Sequence, residues 1–176
     1  MRAGTRSAFA GMLLVAATLT AGTHAASAAP ARAGGDGRQQ ESEFVDRINA
    51  LRTSKGLATL QVDADLTSQA RIWASTMRSQ GHIFHSQNLA DGIGANWEKL
   101  GENVGVGGTV DALFNAFVAS PKHYENLVDP AYRFIGIGVV WDGTNMYTAH
   151  RFMSVFPAGV APAPTPTPTT PMPMNR

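Results

Sequence analysis

Gly101-Glu102-Asn103-Val104-Gly105 sets a carboxylate and a carboxamide side by side between two glycines. Charged residues make up 15% of this chain, against about 25% in average usage, so a polar pair in such a frame either closes a hydrogen-bond network or faces a cleft. The glycines on either side let other groups approach the backbone closely. The stretch reads as the body of a strand over residues 101–107. A buried glutamate satisfied by backbone amides is the structural reading of Glu102.

Downstream, Thr109 caps a predicted helix whose apolar face is Val110, Leu113, Phe114, Phe117 and Val118. Ser120-Pro121 then starts a shorter helix, with Ser as N-cap and Pro at the first helical position, which puts His123 in its first turn. Residues 134–141 alternate glycine with branched side chains, Asp142-Gly143 is a turn signal, and residues 146–152 form a second run compatible with a strand. The pair reads as an antiparallel hairpin.

Upstream, residues 41–55 put Phe44, Val45, Ile48 and Leu51 on one helical face, with Gly56 as the stop. Residues 57–62 are short and extended, and Asp63 caps a second helix in which Leu66, Ala70, Trp73, Ala74 and Met77 recur at helical spacing until Gly81. A polar loop through residue 99 follows and carries His82 and His85, which need not point together once the helix has stopped. Helix, helix, strand, helix and hairpin imply an α+β domain with helices packed on a mostly antiparallel sheet.

Residues 1–28 read as a secretory signal: Arg2 and Arg6 precede an apolar run over residues 8–21, and Ala26-Ser27-Ala28 suits cleavage. The expected organisation is a disordered segment over residues 29–40, one domain over 41–157 and an extended Pro/Thr-rich tail over 158–176. Losing two arginines leaves 12 basic residues against 13 acidic ones and moves the formal net charge from +1 to −1. The expected product is secreted, with no transmembrane segment in the mature form and no nucleic-acid-binding surface. Without cysteine, these residues hold no disulfide, thiol nucleophile or thiolate zinc site.

His85-Ser86, Gly101-Glu102-Asn103, the run from Phe117 through Ser120-Pro121-Lys122-His123-Tyr124-Glu125-Asn126-Leu127, and Ile135-Gly136-Ile137-Gly138-Val139 occur in this order. The set resembles the CAP superfamily, the SCP-domain or pathogenesis-related-1-like proteins, in its bacterial secreted form. That resemblance implies an α-β-α sandwich with a central cleft. It also implies that His85, Glu102 and His123 form a polar cluster, which binds a divalent cation in some members, with Ser86 and Asn103 beside it as binding residues. Animal and plant relatives usually add a second Glu before the last His. This chain has Phe117-Val118-Ala119-Ser120 there, and it also lacks those relatives' disulfides.

Two neutral imidazoles and one carboxylate are a borderline ligand set that suits zinc, copper or nickel, and with an open position they also match catalytic zinc. The alternative is that both histidines pair with Glu102 across the cleft. Nucleophilic catalysis has little support: there is no Gly-x-Ser-x-Gly elbow, and Ser86 and Ser120 have structural readings. Glu125 falls on another side of its helix from His123, Glu98 sits in the preceding loop, and His150 reads as a partly exposed strand histidine. Trp97 and Trp141 could line a groove, whereas Trp73 belongs to a core.

Three classes stay open. The favoured one is a secreted binding module for a small lipid, sterol-like or peptide ligand; the others are a metal-assisted, peptidase-like hydrolase and an envelope interaction protein. The oligomeric state is not readable from the sequence.

Overall fold

The computed structural model of the protein describes residues 37–94 and 96–157; the expected signal and the Pro/Thr-rich tail lie outside them. The elements run α1 (Arg38–Ser54), β1 (Gln61–Val62), α2 (Ala64–Gln80), β2 (Trp97–Gly107), α3 (Val110–Ala119), α4 (Pro121–Val128), β3 (Phe134–Trp141) and β4 (Met146–Val155). Residues 38–40 are helical rather than disordered, because Gly37 (φ 77°) turns the chain directly into α1. Asp63 caps α2 by accepting from the Leu66 amide at 2.9 Å, and Gly81 ends it at φ 73°. Thr109 Oγ1 accepts from the Ala112 amide at 3.1 Å and caps α3.

The strands form one sheet in the order β1-β3-β4-β2. β4 pairs antiparallel with both β3 and β2, while β1 adds a two-residue parallel ladder to β3. Helices cover both faces. Phe44 and Ile48 of α1, Leu113 and Phe117 of α3 and Leu127 of α4 bury with Ile135, Ile137, Val139, Met146 and Phe152 on one face. Ala70 and Met77 of α2 bury with Val104, Tyr147 and Ala149 on the other, joined by Trp73 and Phe84. Side chains alternate along each strand, so this split makes the domain an α-β-α sandwich with a mostly antiparallel centre.

The glycines of β3 show how closely the layers pack. A Cβ on Gly136 would overlap the backbone of Leu66 and Thr67, and one on Gly138 the backbone of Ala70 and Arg71. The backbone of α2 therefore rests directly on β3. In β2 the close approach is of a different kind: Gly101 makes room for the Tyr132 hydroxyl and the Asn126 carboxamide, and Gly105 for the Phe117 ring.

Candidate functional site

β2 is a sheet edge, so its alternation places consecutive side chains on opposite faces of an open border. Glu102 lies on the α2 side with Val104, and Asn103 lies on the α4 side. The cleft, about 610 Å3 in volume, wraps this border and is lined by His85, Glu102, Asn103, Ser120, Pro121, Lys122, His123 and Asn126. The polar pair singled out from the sequence thus contributes one residue to each half of the site.

On the α2 side, the positive-φ stop at Gly81 releases the chain, and Phe84 anchors it by packing edge-on against Trp73 at 4.9 Å. The Trp73 indole N–H donates to the Phe84 carbonyl at 2.9 Å. The next residue, His85, donates from Nδ1 to Glu102 Oε1 at 2.9 Å, and the Ser86 amide donates to the same oxygen at 3.0 Å. A carboxylate acceptor fixes the Nδ1–H tautomer, leaving Nε2 of this exposed ring with its lone pair free. The Ser86 hydroxyl turns away to the Asn88 carbonyl, so Ser86 serves the site through its backbone.

Behind Glu102 lies Arg151, its cross-strand partner, with Nε 3.5 Å from Glu102 Oε2. Both side chains are buried, and Glu102 Oε2, Arg151 Nε and Arg151 Nη1 make no hydrogen bond. Burial lowers the Arg151 guanidinium pKa, against the stabilising charges of Glu102 and Asp91. The carboxylate is thus held from the front by His85 and Ser86 and neutralised from behind.

On the α4 side, Ser120 and Pro121 open the helix as expected, but Ser120 makes no side-chain cap. Its hydroxyl pairs instead with His123 Nδ1 at 2.9 Å. Asn103 donates to the His123 carbonyl at 3.0 Å, and Asn126 donates to Asn103 Oδ1 at 2.8 Å and to the Glu102 carbonyl at 3.2 Å. These bonds lock α4 against the border of β2. Burial, and then the neighbouring His85, lower the His123 pKa, which favours the neutral imidazole.

Of the five residues expected at the site, His85, Glu102, Asn103 and His123 line the cleft and Ser86 reaches it only through its amide, but His85, Glu102 and His123 are not arranged around one point. Among the described residues no group of three or more His, Asp and Glu side chains is placed to hold a metal ion. Glu102 Oε1 already accepts two hydrogen bonds and Oε2 is buried against Arg151, so the carboxylate orients His85 rather than offering itself as a ligand. The free donors are two imidazole Nε2 atoms, fewer than the three protein ligands of a catalytic zinc site. The arrangement as it stands does not fit a resident zinc ion.

Several residues of the cleft escaped the sequence reading. Asn126 lies three residues after His123 on one helical face, a spacing that signals it; Arg151 is legible only once the β2–β4 register is known. Lys122 lines the cleft without a hydrogen-bond or ion-pair partner among the described residues. His150 was expected to be partly exposed and is fully buried, because β4 is an inner strand covered on both faces. Glu125 lies outside the cleft, lining a neighbouring pocket of about 400 Å3 with Lys99 and Asp129. Trp97 and Trp141 do not line the cleft.

A smaller cavity of about 230 Å3 lies at the far side of the sheet beside Ile137. Its Glu41 receives Arg71 Nε at 2.9 Å and the Val139 amide at 3.2 Å, so it ties α1 to α2 and to β3. That polar cluster is structural.

The fold and this border cleft define a class, and the chain belongs to the CAP (cysteine-rich secretory protein) family, whose model matches residues 45–156. It does so with no cysteine at all. Among curated proteins it is 28% identical over 112 residues to the uncharacterized protein YkwD of Bacillus subtilis. The match covers 59% of this chain but 44% of that relative, so the chain spans less than half of the relative's length. Among solved structures it is similar to an outer surface protein of Borrelia burgdorferi, with TM-score 0.65 and 19% identity over 69% of this chain and 97% of that one. It is also similar to an extracellular SCP-domain protein of Bacillus anthracis, with TM-score 0.59 and 21% identity over 66% of this chain and 41% of that one.

Proposed function

We propose that the protein is an exported binding module whose border cleft takes a small lipid or a peptide segment, with Glu102 holding His85 in register for contact with the ligand. The observation that carries this reading is the cleft itself: roughly 610 Å3 walled by two imidazoles, two carboxamides and a lysine, in the size range of small-molecule sites. The described relatives on outer surfaces and in extracellular proteins support export. No helix among the described residues is long and apolar enough to cross a membrane. A peptidase-like reading would need an activated water, and among the described residues no third ligand is placed to hold a zinc ion for one.

Divalent cations then bind weakly and exchangeably, through the free Nε2 atoms of His85 and His123. Calorimetric titration with zinc is expected to show such binding in the parent and almost none in His85→Ala or His123→Ala. The double variant should add little, the non-additivity of groups that act together. Binding should fade as pH falls, since a protonated imidazole cannot ligate. Independent, additive losses would instead mark two unrelated surface histidines.

A further inference from the structure

His150 is fully buried, and neither ring nitrogen has a hydrogen-bond partner. A neutral imidazole carries one donor and one acceptor, so the ring forgoes both where unmade hydrogen bonds are costly. Its box is aromatic: Phe44 of α1 stands edge-on at 4.6 Å and Phe117 of α3 at 5.1 Å. Across the ladders it faces Asn103 of β2 and Ile137 of β3. None of these four can titrate. The group whose charge acts on the ring is His123 of α4, another base; no carboxylate does so.

We propose that His150 is an acid-sensing wedge: taking up a proton drives Phe117 and the first turn of α4 off the sheet, opening that wall of the cleft. Among the described residues a charge in this box has no counter-charge, so the ring takes up its proton as the wall moves. The other layers are pinned. Arg52 of α1 donates to the Ala58 carbonyl and to the Leu127 carbonyl at the far end of α4, and Glu41 ties α1 to α2 and β3, while the first turn of α4 is held to β2 through the Asn103 bond to the His123 carbonyl, which opening must break. α3 lies between Gly107-Gly108, where Gly108 has open space around it, and the Ser120-Pro121 break. Its ion pair to α1, Arg47 with Asp111 at 2.7 Å, is exposed on the Asp side and weak in water.

Burial, and then His123, push the His150 ring down to about 3 from an ordinary value of 6.5. The sign follows from linkage. The closed wall is fully favoured above pH 6.5, where neither state holds the proton, and loses ground as pH falls toward about 3 because the open state binds the proton first. Opening should therefore grow about tenfold per pH unit, or about 100-fold by pH 4.5.

Hydrogen exchange on the full chain, corrected for the intrinsic pH dependence of amide exchange, tests this without reference to any ligand, so its outcome is independent of what the cleft binds. Between about pH 7.5 and 4.5 the amides of α3 and the first turn of α4 should lose protection about 100-fold while β3 and β4 keep theirs. His150→Gln and His150→Phe should remove most of the response, and His123→Asn should remove only the smaller part that follows from its own lowered pKa. The proposal is overturned if the two His150 variants follow the parent profile. It is equally overturned if helices and strands lose protection together, since that is global acid unfolding.

Discussion

Gly138→Ala should destabilise the domain by about 3 kcal/mol or more and lower the melting temperature by roughly 10 °C. A Cβ at Gly138 overlaps the backbone of Ala70 and Arg71, in the middle of α2, where no rotamer change can relieve the contact. The helix must move off the sheet, and it takes with it the contacts of Ala70 and Met77 with Val104, Tyr147 and Ala149. Gly136→Ala should behave alike, since it meets the backbone of Leu66 and Thr67. Gly108→Ala is the control: nothing lies within 4 Å of its Cβ, and its φ is not positive. Thermal melts of the three variants should separate the first two from the third, and a Gly138→Ala melt matching that of Gly108→Ala would show that α2 sits less closely on β3 than described.

Arg52→Met is expected to cost about 3–5 kcal/mol, because several carbonyls lose their donor together and each buried acceptor left unpaired costs about 1–3 kcal/mol. Arg52 is completely buried in α1 and donates only to backbone carbonyls: Ala58 at 2.8 Å, Leu127 and Asp129 at 3.0 Å and Tyr132 at 3.4 Å. Burial, and then Arg133, lower its pKa, while Asp129 raises it. Its fork ties the end of α1 to the turn between α4 and β3, and methionine would leave those carbonyls without their donor. Lysine keeps the charge, but a single ammonium cannot span acceptors on opposite sides of the guanidinium, so Arg52→Lys should recover little. Urea unfolding reads both variants, and a lysine variant within about 1 kcal/mol of the parent would contradict the account.

Much of the layer structure was legible because helix signals are local. Asp63, Gly81, Thr109 and Ser120-Pro121 each mark a terminus by their own chemistry, and the structure puts helix ends at all of them. Strand readings depend on partners that the sequence does not display. The polar start of β2, Trp97-Glu98-Lys99, looks like loop and becomes strand through pairing with Ser154 and Val155 of β4. His150 reads as a partly exposed strand histidine, yet on a strand covered on both faces it enters the aromatic core while its neighbour Arg151 backs Glu102. The candidate cluster was visible as residue types in order, but the division of labour within it was not. That Glu102 orients His85, while Asn103 and Asn126 fasten α4, depends on β2 being a sheet edge with neighbours on both faces.

Native mass spectrometry of the protein recovered from an exporting host tests the central claim most directly, that the border cleft is a binding site worked by His85, Glu102 and His123 together. The account predicts a non-covalent ligand of small-molecule or short-peptide mass on the parent. That ligand should be lost from His123→Ala and from Glu102→Gln, whose amide cannot hold His85 as a carboxylate does, and retained in the remote control Lys55→Ala. A parent that carries no ligand, or the same adduct on parent and cleft variants alike, would contradict it.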